Sequence, residues 1–267
     1  MNKIGFIGIG NMGGTLAKTA AQAVGAERLL VSDRSMELAG KFADAVGCTP
    51  CENTALAAQA RYIFLGVKPQ VMGAVLGEIA PILAGREDRF VLVSMAAGLS
   101  VAQICEMAGG AYPVIRIMPN TPAAVGCGMI VYCANQEVSE REVSAFLELL
   151  APAGRLETLP EALIDAASAV SGCGPAFGYL FIEALADGAV ACGLPRQAAQ
   201  TYAAQTVLGA AQMVLSSGAH PGALKDAVCS PGGSTIAGVH ALEKSAFRAA
   251  AQEAVLAAYK RTVELGK

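Results

Sequence analysis

Along the first half of the chain, short unbroken apolar runs alternate with longer stretches of helical spacing. "KIGFIG", "RLLVSDR", "RYIFLGVKP", "RFVLVSMAAG" and "YPVIRIMPN" read as strands that are apolar on both faces. Between them, "NMGGTLAKTAAQAVG", "SMELAGKFADAVG", "PQVMGAVLGEIAPIL" and "SVAQICEMAGG" read as helices, with Gly25 and Gly47 as stops and Pro69 as a start. This alternation predicts a parallel sheet covered on both faces, an α/β, doubly wound, Rossmann-type domain.

The pattern then changes. "GMIVYCAN" and "GRLETLP" read as two further strands around the helix "SEREVSAFLELLAPAG", and from Leu163 onward no strand is predicted. "ALIDAASAVSGCGPAFGYLFIEALADGAVACG" reads as one small-residue helix, interrupted or bent around Gly172–Pro175. "LPRQAAQTYAAQTVLGAAQMVLSSG" is a second helix, and the terminal segment a third, split near Lys244. The expected organisation is a dinucleotide-binding domain over 1–158 and an all-α domain over 159–267.

Composition adds a core and removes some partners. With 267 residues, 54% hydrophobic and 15% charged, a sizeable core is assured. A net charge of −3 offers nothing to nucleic acid or an anionic membrane surface. Two stretches lack charge. Residues 117–136 are broken by Pro119, Asn120, Pro122, Gly126 and Gly128, and residues 197–224 are interrupted by Gln197, Gln200, Gln205 and Gln212. Neither is expected to span a membrane; the second reads as a helix buried between subunits or domains. No leader is expected before the fold, because the first glycine motif already starts at Gly8, and eight cysteines read as reduced thiols of a cytoplasmic protein. Cys48 and Cys51 form a lone C-x-x-C whose only histidine companions are His220 and His240, so a small apolar strand is expected there rather than a metal site.

Chemistry enters with Gly8-Ile9-Gly10-Asn11-Met12-Gly13, a G-x-G-x-x-G that follows a strand and opens a helix. In that context it predicts a dinucleotide pyrophosphate on the helix N-terminus. The second strand ends at Asp33-Arg34. The acid suits a ribose 2′-hydroxyl and NAD, while the guanidinium suits a 2′-phosphate and NADP, and the residues alone leave both open. Further strand ends fall at Val67-Lys68-Pro69 and Met95-Ala96-Ala97, where such sheets place their ligands. A second small-residue loop, "CSPGGSTIAG" at 229–238, also enters a helix. It can hold an anion on bare amides, or it can be an ordinary helix start capped by Ser234 or Thr235.

"FIGIGNMGG", "LGVKP", "MAAG", "RIMPNTPA", "SGCGPA", "ACGLPR" and above all "LKDAVCSPGGSTIAGVHALE" resemble, in order, the blocks of the pyrroline-5-carboxylate reductases. The resemblance implies a Rossmann domain, a helical dimerisation domain and hydride transfer from NAD(P)H to the C=N carbon of 1-pyrroline-5-carboxylate, giving L-proline. NADP is the expected cofactor, with NAD as the second candidate, and a homodimer through the helical domain, able to assemble further, the expected state. Carried over residue by residue, the pyrophosphate loop falls on Ile7 to Met12 and the adenosine-side asparagine on Asn53. The strand-end contacts fall on Gly66 to Pro69 and Met95 to Ala97. The substrate site falls on Asp226, Ala227, Ser234 and Thr235, with Glu161 as a further acid. Gly232 and Gly233 bare the loop amides, and Thr235 is the expected partner of the ring nitrogen. His220 is expected in a turn and His240 on a helix face. A β-hydroxyacid dehydrogenase is the nearest rival, but it wants a lysine that is missing between Lys68 and Lys225. A non-catalytic NADPH-binding regulator would bind cofactor without turnover.

Overall fold

The computed structural model describes residues 3–265. Its strands are β1 (Lys3–Ile7), β2 (Leu29–Ser32), β3 (Thr49–Pro50), β4 (Ala60–Leu65), β5 (Val91–Ser94), β6 (Val114–Met118), β7 (Gly128–Ala134) and β8 (Gly154–Thr158). They form one sheet in the order β3-β2-β1-β4-β5-β6-β7-β8. Every adjacent pair is parallel except β6 and β7, where Ile117 lies opposite Tyr132. The predicted doubly wound sheet is therefore present.

Strand periodicity divides the core in two. Tyr62 and Phe64 of β4 enter the cluster formed with α1 (Asn11–Val24), α2 (Met36–Val46) and α6 (Glu140–Leu150). Ile63 and Leu65 enter the opposite cluster, with α3 (Asn53–Gln59), α4 (Pro69–Ala84), α5 (Val101–Ala108) and Ile164 of α7 (Glu161–Ser171). Phe6 and Phe64 stack at 4.4 Å between centroids in the first cluster.

By contacts the chain divides into the stretch ending at Cys173, joined by the turns from Ala258 onward, and Gly174–Ala257. The boundary expected after residue 158 marks the end of β8. The contact boundary falls later because α7 stays with the sheet: Ile164 is fully buried there, Asn120 Nδ2 donates to the Ser171 carbonyl at 2.9 Å, and Arg116 Nη2 donates to Asp165 at 2.5 Å. The expected long helix is thus two, α7 and α8 (Gly174–Ala191), parted at Gly172 and Cys173.

The second unit contains α8, α9 (Arg196–Ser217), α10 (Pro221–Val228), α11 (Ser234–Lys244) and the start of α12 (Phe247–Leu265). Ala186, Ala199 and Ala203 bury the α8–α9 contact, yet Leu180, Tyr202, Leu208, Met213 and Leu215 are each more than half exposed in the single chain. The short helices α3 and α10 have no counterpart in the sequence reading.

At the end of the sheet opposite the glycine loop, Glu142 closes a capping box with Ser139 and takes Arg89 in two bonds of 3.0 Å and Arg61 in one of 2.8 Å. Tyr62 also donates to the Glu142 carbonyl, at 2.8 Å. Burial alone would raise the Glu142 carboxyl, but the Arg89 guanidinium and the Ser139 bonds outweigh it and hold it at about 2. Its folded value lies below the unfolded one, so its stabilisation is present at neutral pH and lost as pH falls from about 5 toward 2. The shift corresponds to on the order of 3 kcal/mol. Glu142→Gln should destabilise the protein at pH 7 and flatten the acid limb of a stability-against-pH series. An acid limb as steep as wild type's would show that Glu142 is not the titrating group.

Candidate nucleotide and substrate sites

β1 delivers the chain to Gly8, whose φ of +87° permits the tight turn. Gly8 N–H donates to the Ser32 carbonyl and Gly66 N–H to the Ile7 carbonyl, both at 2.8 Å, fixing the loop between β2 and β4. A Cβ on Gly13 would stand 2.0 Å from the Gly8 carbonyl oxygen, and one on Gly66 2.5 Å from the same atom. Gly10 is different. Its φ is −60°, a Cβ there would meet nothing within 4 Å, and it caps α1 without any side-chain bond. Gly10 therefore borders open space at the start of α1, where a helix leaves its first amides without helical partners, an arrangement that suits a diphosphate.

That space is a cavity of about 650 Å³. Of the residues assigned to the cofactor, Ile7, Gly8, Gly10, Asp33, Arg34, Asn53, Gly66, Val67 and Lys68 line it. Ile9, Asn11, Met12, Gly13 and Pro69 do not reach its wall: Ile9 and Gly13 are buried behind it. Met95, Ala96 and Ala97 follow β5, and the Met95 N–H meets the last carbonyl of β4 at 3.4 Å. Asp33 has both oxygens engaged with backbone: Oδ2 accepts from Ile9 N–H at 3.1 Å and Oδ1 from Ser35 N–H at 3.2 Å. It braces the glycine loop against the start of α2, while Arg34 is exposed on the cavity wall. Sequence reasoning missed Ser32, Glu52 and Glu78, which also line the cavity. Glu78 lies on α4, and no local motif marks which face of that helix meets the nucleotide loop.

Gly232 has φ +69°, Gly233 N–H donates to the Ser230 carbonyl at 3.0 Å, and α11 starts on Gly233 with no side-chain cap. Ser234 and Thr235 are thus not capping residues, whereas Ser35, Ser100 and Ser139 do cap α2, α5 and α6. Asp226 and Ala227 lie in the last turn of α10, with Lys225 paired to the Asp226 carboxylate. His220 Nδ1 accepts from Gly222 N–H at 3.0 Å and caps α10; His240 is exposed on α11. Glu161 belongs to the sheet-bearing unit, where it accepts from Val101 N–H at 2.7 Å and stands 3.5 Å from Arg116. Cys48 and Cys51 flank the two-residue β3, and burial raises both thiols, so neither has the thiolate character of a redox pair.

Residues 161–265 match the family described as pyrroline-5-carboxylate reductase dimerisation, and residues 3–98 the family described as NADP oxidoreductase, coenzyme F420-dependent. Pyrroline-5-carboxylate reductase 3 of Danio rerio is 42% identical over 266 residues, covering 99% of this chain and 91% of that protein. The pyrroline-5-carboxylate reductase of Escherichia coli K12 is 41% identical over 268 residues, covering 99% and 98%. The crystal structure of Plasmodium falciparum pyrroline carboxylate reductase with NADP bound superposes with a TM-score of 0.89 at 34% identity, covering 100% of this chain and 98% of that one.

The two glycines of the first loop should separate under substitution. Gly10→Ala keeps a permitted backbone and open surroundings, so it should melt near wild type while binding NADPH at least about tenfold more weakly, as read by nucleotide fluorescence. Gly13→Ala drives a Cβ into backbone and should cost about 1–3 kcal/mol of stability before any ligand is added. Equal destabilisation by both would make Gly10 a turn glycine only.

Proposed function

The chain belongs to the pyrroline-5-carboxylate reductase family, and from that premise we propose that it reduces 1-pyrroline-5-carboxylate to L-proline at the expense of NADPH, the last step of proline synthesis. The observation that carries this reading is the pairing of two helices, α1 and α11, that each begin on a glycine with no side-chain cap. One suits a diphosphate and the other a carboxylate.

The cavity fits the cofactor: α1 amides and the Gly8–Gly10 turn for the diphosphate, Asn53 for the adenosine, and Arg34 for a 2′-phosphate. When bound, NADPH supplies a hydride from its nicotinamide ring. Met95 to Ala97 provide small residues at the neighbouring strand end, where the ring needs room. The amides of the first turn of α11, reached through the Gly232–Gly233 turn, hold the substrate carboxylate without a basic side chain. Thr235 bonds the ring nitrogen through its hydroxyl. Asp226 and Ala227 end the helix that leads into this loop. A protonated cyclic imine accepts hydride without a strong enzymic acid, so positioning is the task left to these residues. The bonds of Glu161 support a positioning role, tying α7 to the start of α5.

We assign residues 159–267 to dimerisation and substrate binding, and the enzyme to the cytoplasm, where eight free thiols remain reduced. The segment 161–191 is long and apolar enough to cross a membrane by length and composition alone. Its match to a dimerisation family, and the exposed Leu180, Tyr202 and Leu215, support burial against a second copy. Light scattering at micromolar concentration should return twice the chain mass or a multiple of it, and a stable, active monomer would refute the assignment.

Oxidation of NADPH dependent on pyrroline-5-carboxylate tests the activity. Thr235→Ala should lower turnover about 30- to 1,000-fold with NADPH affinity intact, the cost of one hydrogen bond that tightens in the transition state. Thr235→Ser should restore much of it. Normal turnover by Thr235→Ala would remove the residue from the chemistry.

A further inference from the structure

At the adenosine end of the nucleotide cavity a relay of three side chains joins three elements. Ser32 Oγ, at the end of β2, donates to Asn53 Oδ1 at 2.7 Å, and Asn53 Nδ2, at the start of α3, donates to Glu78 Oε2 on α4 at 2.7 Å. All three residues line the cavity. An ionised carboxylate only accepts hydrogen bonds, so Glu78 requires the NH2 of the amide to face it and leaves Oδ1 to the serine. Removal of Glu78 would abolish that requirement, because a hydroxyl accepts as readily as it donates and would tolerate either face of the amide. With the amide fixed, Asn53 retains one N–H and one oxygen lone pair for a ligand.

We propose that Glu78 is a positioning residue for the nucleotide, holding the Asn53 amide in the single orientation that recognises the adenosine moiety. The role rests on the assignment of this cavity to NADPH. Glu78 touches no reacting atom; it removes from the binding step the work of ordering a polar side chain. Its own charge opposes the role, because Glu78 shares the cavity wall with Asp33 and Glu52 and a 2′-phosphate is repelled by all three. The two effects have opposite signs, so measurement can separate them.

The probes are NADPH, followed by fluorescence, and 2′,5′-ADP, followed by calorimetry, which carries the adenosine end alone. Glu78→Ala should weaken both about three- to tenfold, by the same factor. The KM for pyrroline-5-carboxylate, kcat at saturating NADPH and the melting temperature should stay unchanged. Glu78→Gln, whose amide can donate as well as accept, no longer forces one face of the Asn53 amide and should recover only part of the affinity. Tighter binding in both variants would show that charge repulsion outweighs orientation and would overturn the proposal, as would unaltered binding by Glu78→Ala. Arg34→Ala distinguishes this failure from failure of the cavity assignment: weaker 2′,5′-ADP binding by Arg34→Ala beside an unaffected Glu78→Ala sinks only the role of Glu78. Unaltered 2′,5′-ADP binding by both Arg34→Ala and Gly10→Ala sinks the assignment, and the proposal with it.

Discussion

Three stretches of backbone meet at the carbonyl oxygen of Gly8, and the nucleotide half of the protein is arranged around that contact. The atom lies 2.0 Å from where a Cβ on Gly13 would be and 2.5 Å from where one on Gly66 would be. With no side chains at those positions, the first turn of α1 rests on the loop after β1, and the loop after β4 closes on both. Gly8, Gly10 and Gly66 are thereby held together on the wall of the cavity. Gly8 N–H and Gly66 N–H bond to the carbonyls of Ser32 and Ile7, so the same contact extends to β2. Asp33 completes it by accepting from Ile9 N–H. The precision of the anion site is thus set by backbone approach, and the sheet beneath it keeps it rigid.

The two ends of the sheet carry charge differently. Glu142, whose side chain is only 4% exposed, satisfies two guanidinium groups and a capping serine, and none of its partners belongs to the nucleotide cavity. Arg116 is buried to the same degree but less well matched: Asp165 and Glu161 take its terminal nitrogens, while its Nε is buried without a partner among the described residues. An unmade bond of that kind costs free energy. It persists here because the same side chain fastens α7 to the sheet.

Much of this was legible in the sequence. The alternating apolar runs reported the sheet, because strands buried on both faces have little choice of composition. Gly8 to Gly13 reported the nucleotide loop, because close approach can be met only by glycine. What stayed hidden depends on tertiary register. The seven-residue α3 and eight-residue α10 are too short to impose a period. The two backbone hydrogen bonds that Asp33 accepts, from Ile9 and Ser35, are likewise not marked by any local motif. Glu78 lies 25 residues from Asn53 on a helix whose apolar pattern points to the core, so nothing local says that its exposed face meets the amide. The "SPGGST" loop is ambiguous between cap and anion site for a similar reason: the residue types serve both, and the start of α11 on Gly233 removes only the side-chain cap.

The way the protein attracts anions follows from the same geometry. The chain carries a net charge of −3, and the nucleotide cavity is lined by three carboxylates against Arg34 and Lys68. A long-range field of that sign does not draw in a phosphate or a carboxylate. On the proposed reading, capture rests on short-range donors, the amides at the starts of α1 and α11, which act over hydrogen-bond distances and are little weakened by dissolved salt once the ligand excludes water. Amides are also indifferent to the nature of the anion. On the proposed assignment, discrimination has to come from what stands around them: at α1, the adenosine-side residues Asn53 and Arg34; at α11, a single hydroxyl, Thr235, the second residue of the helix.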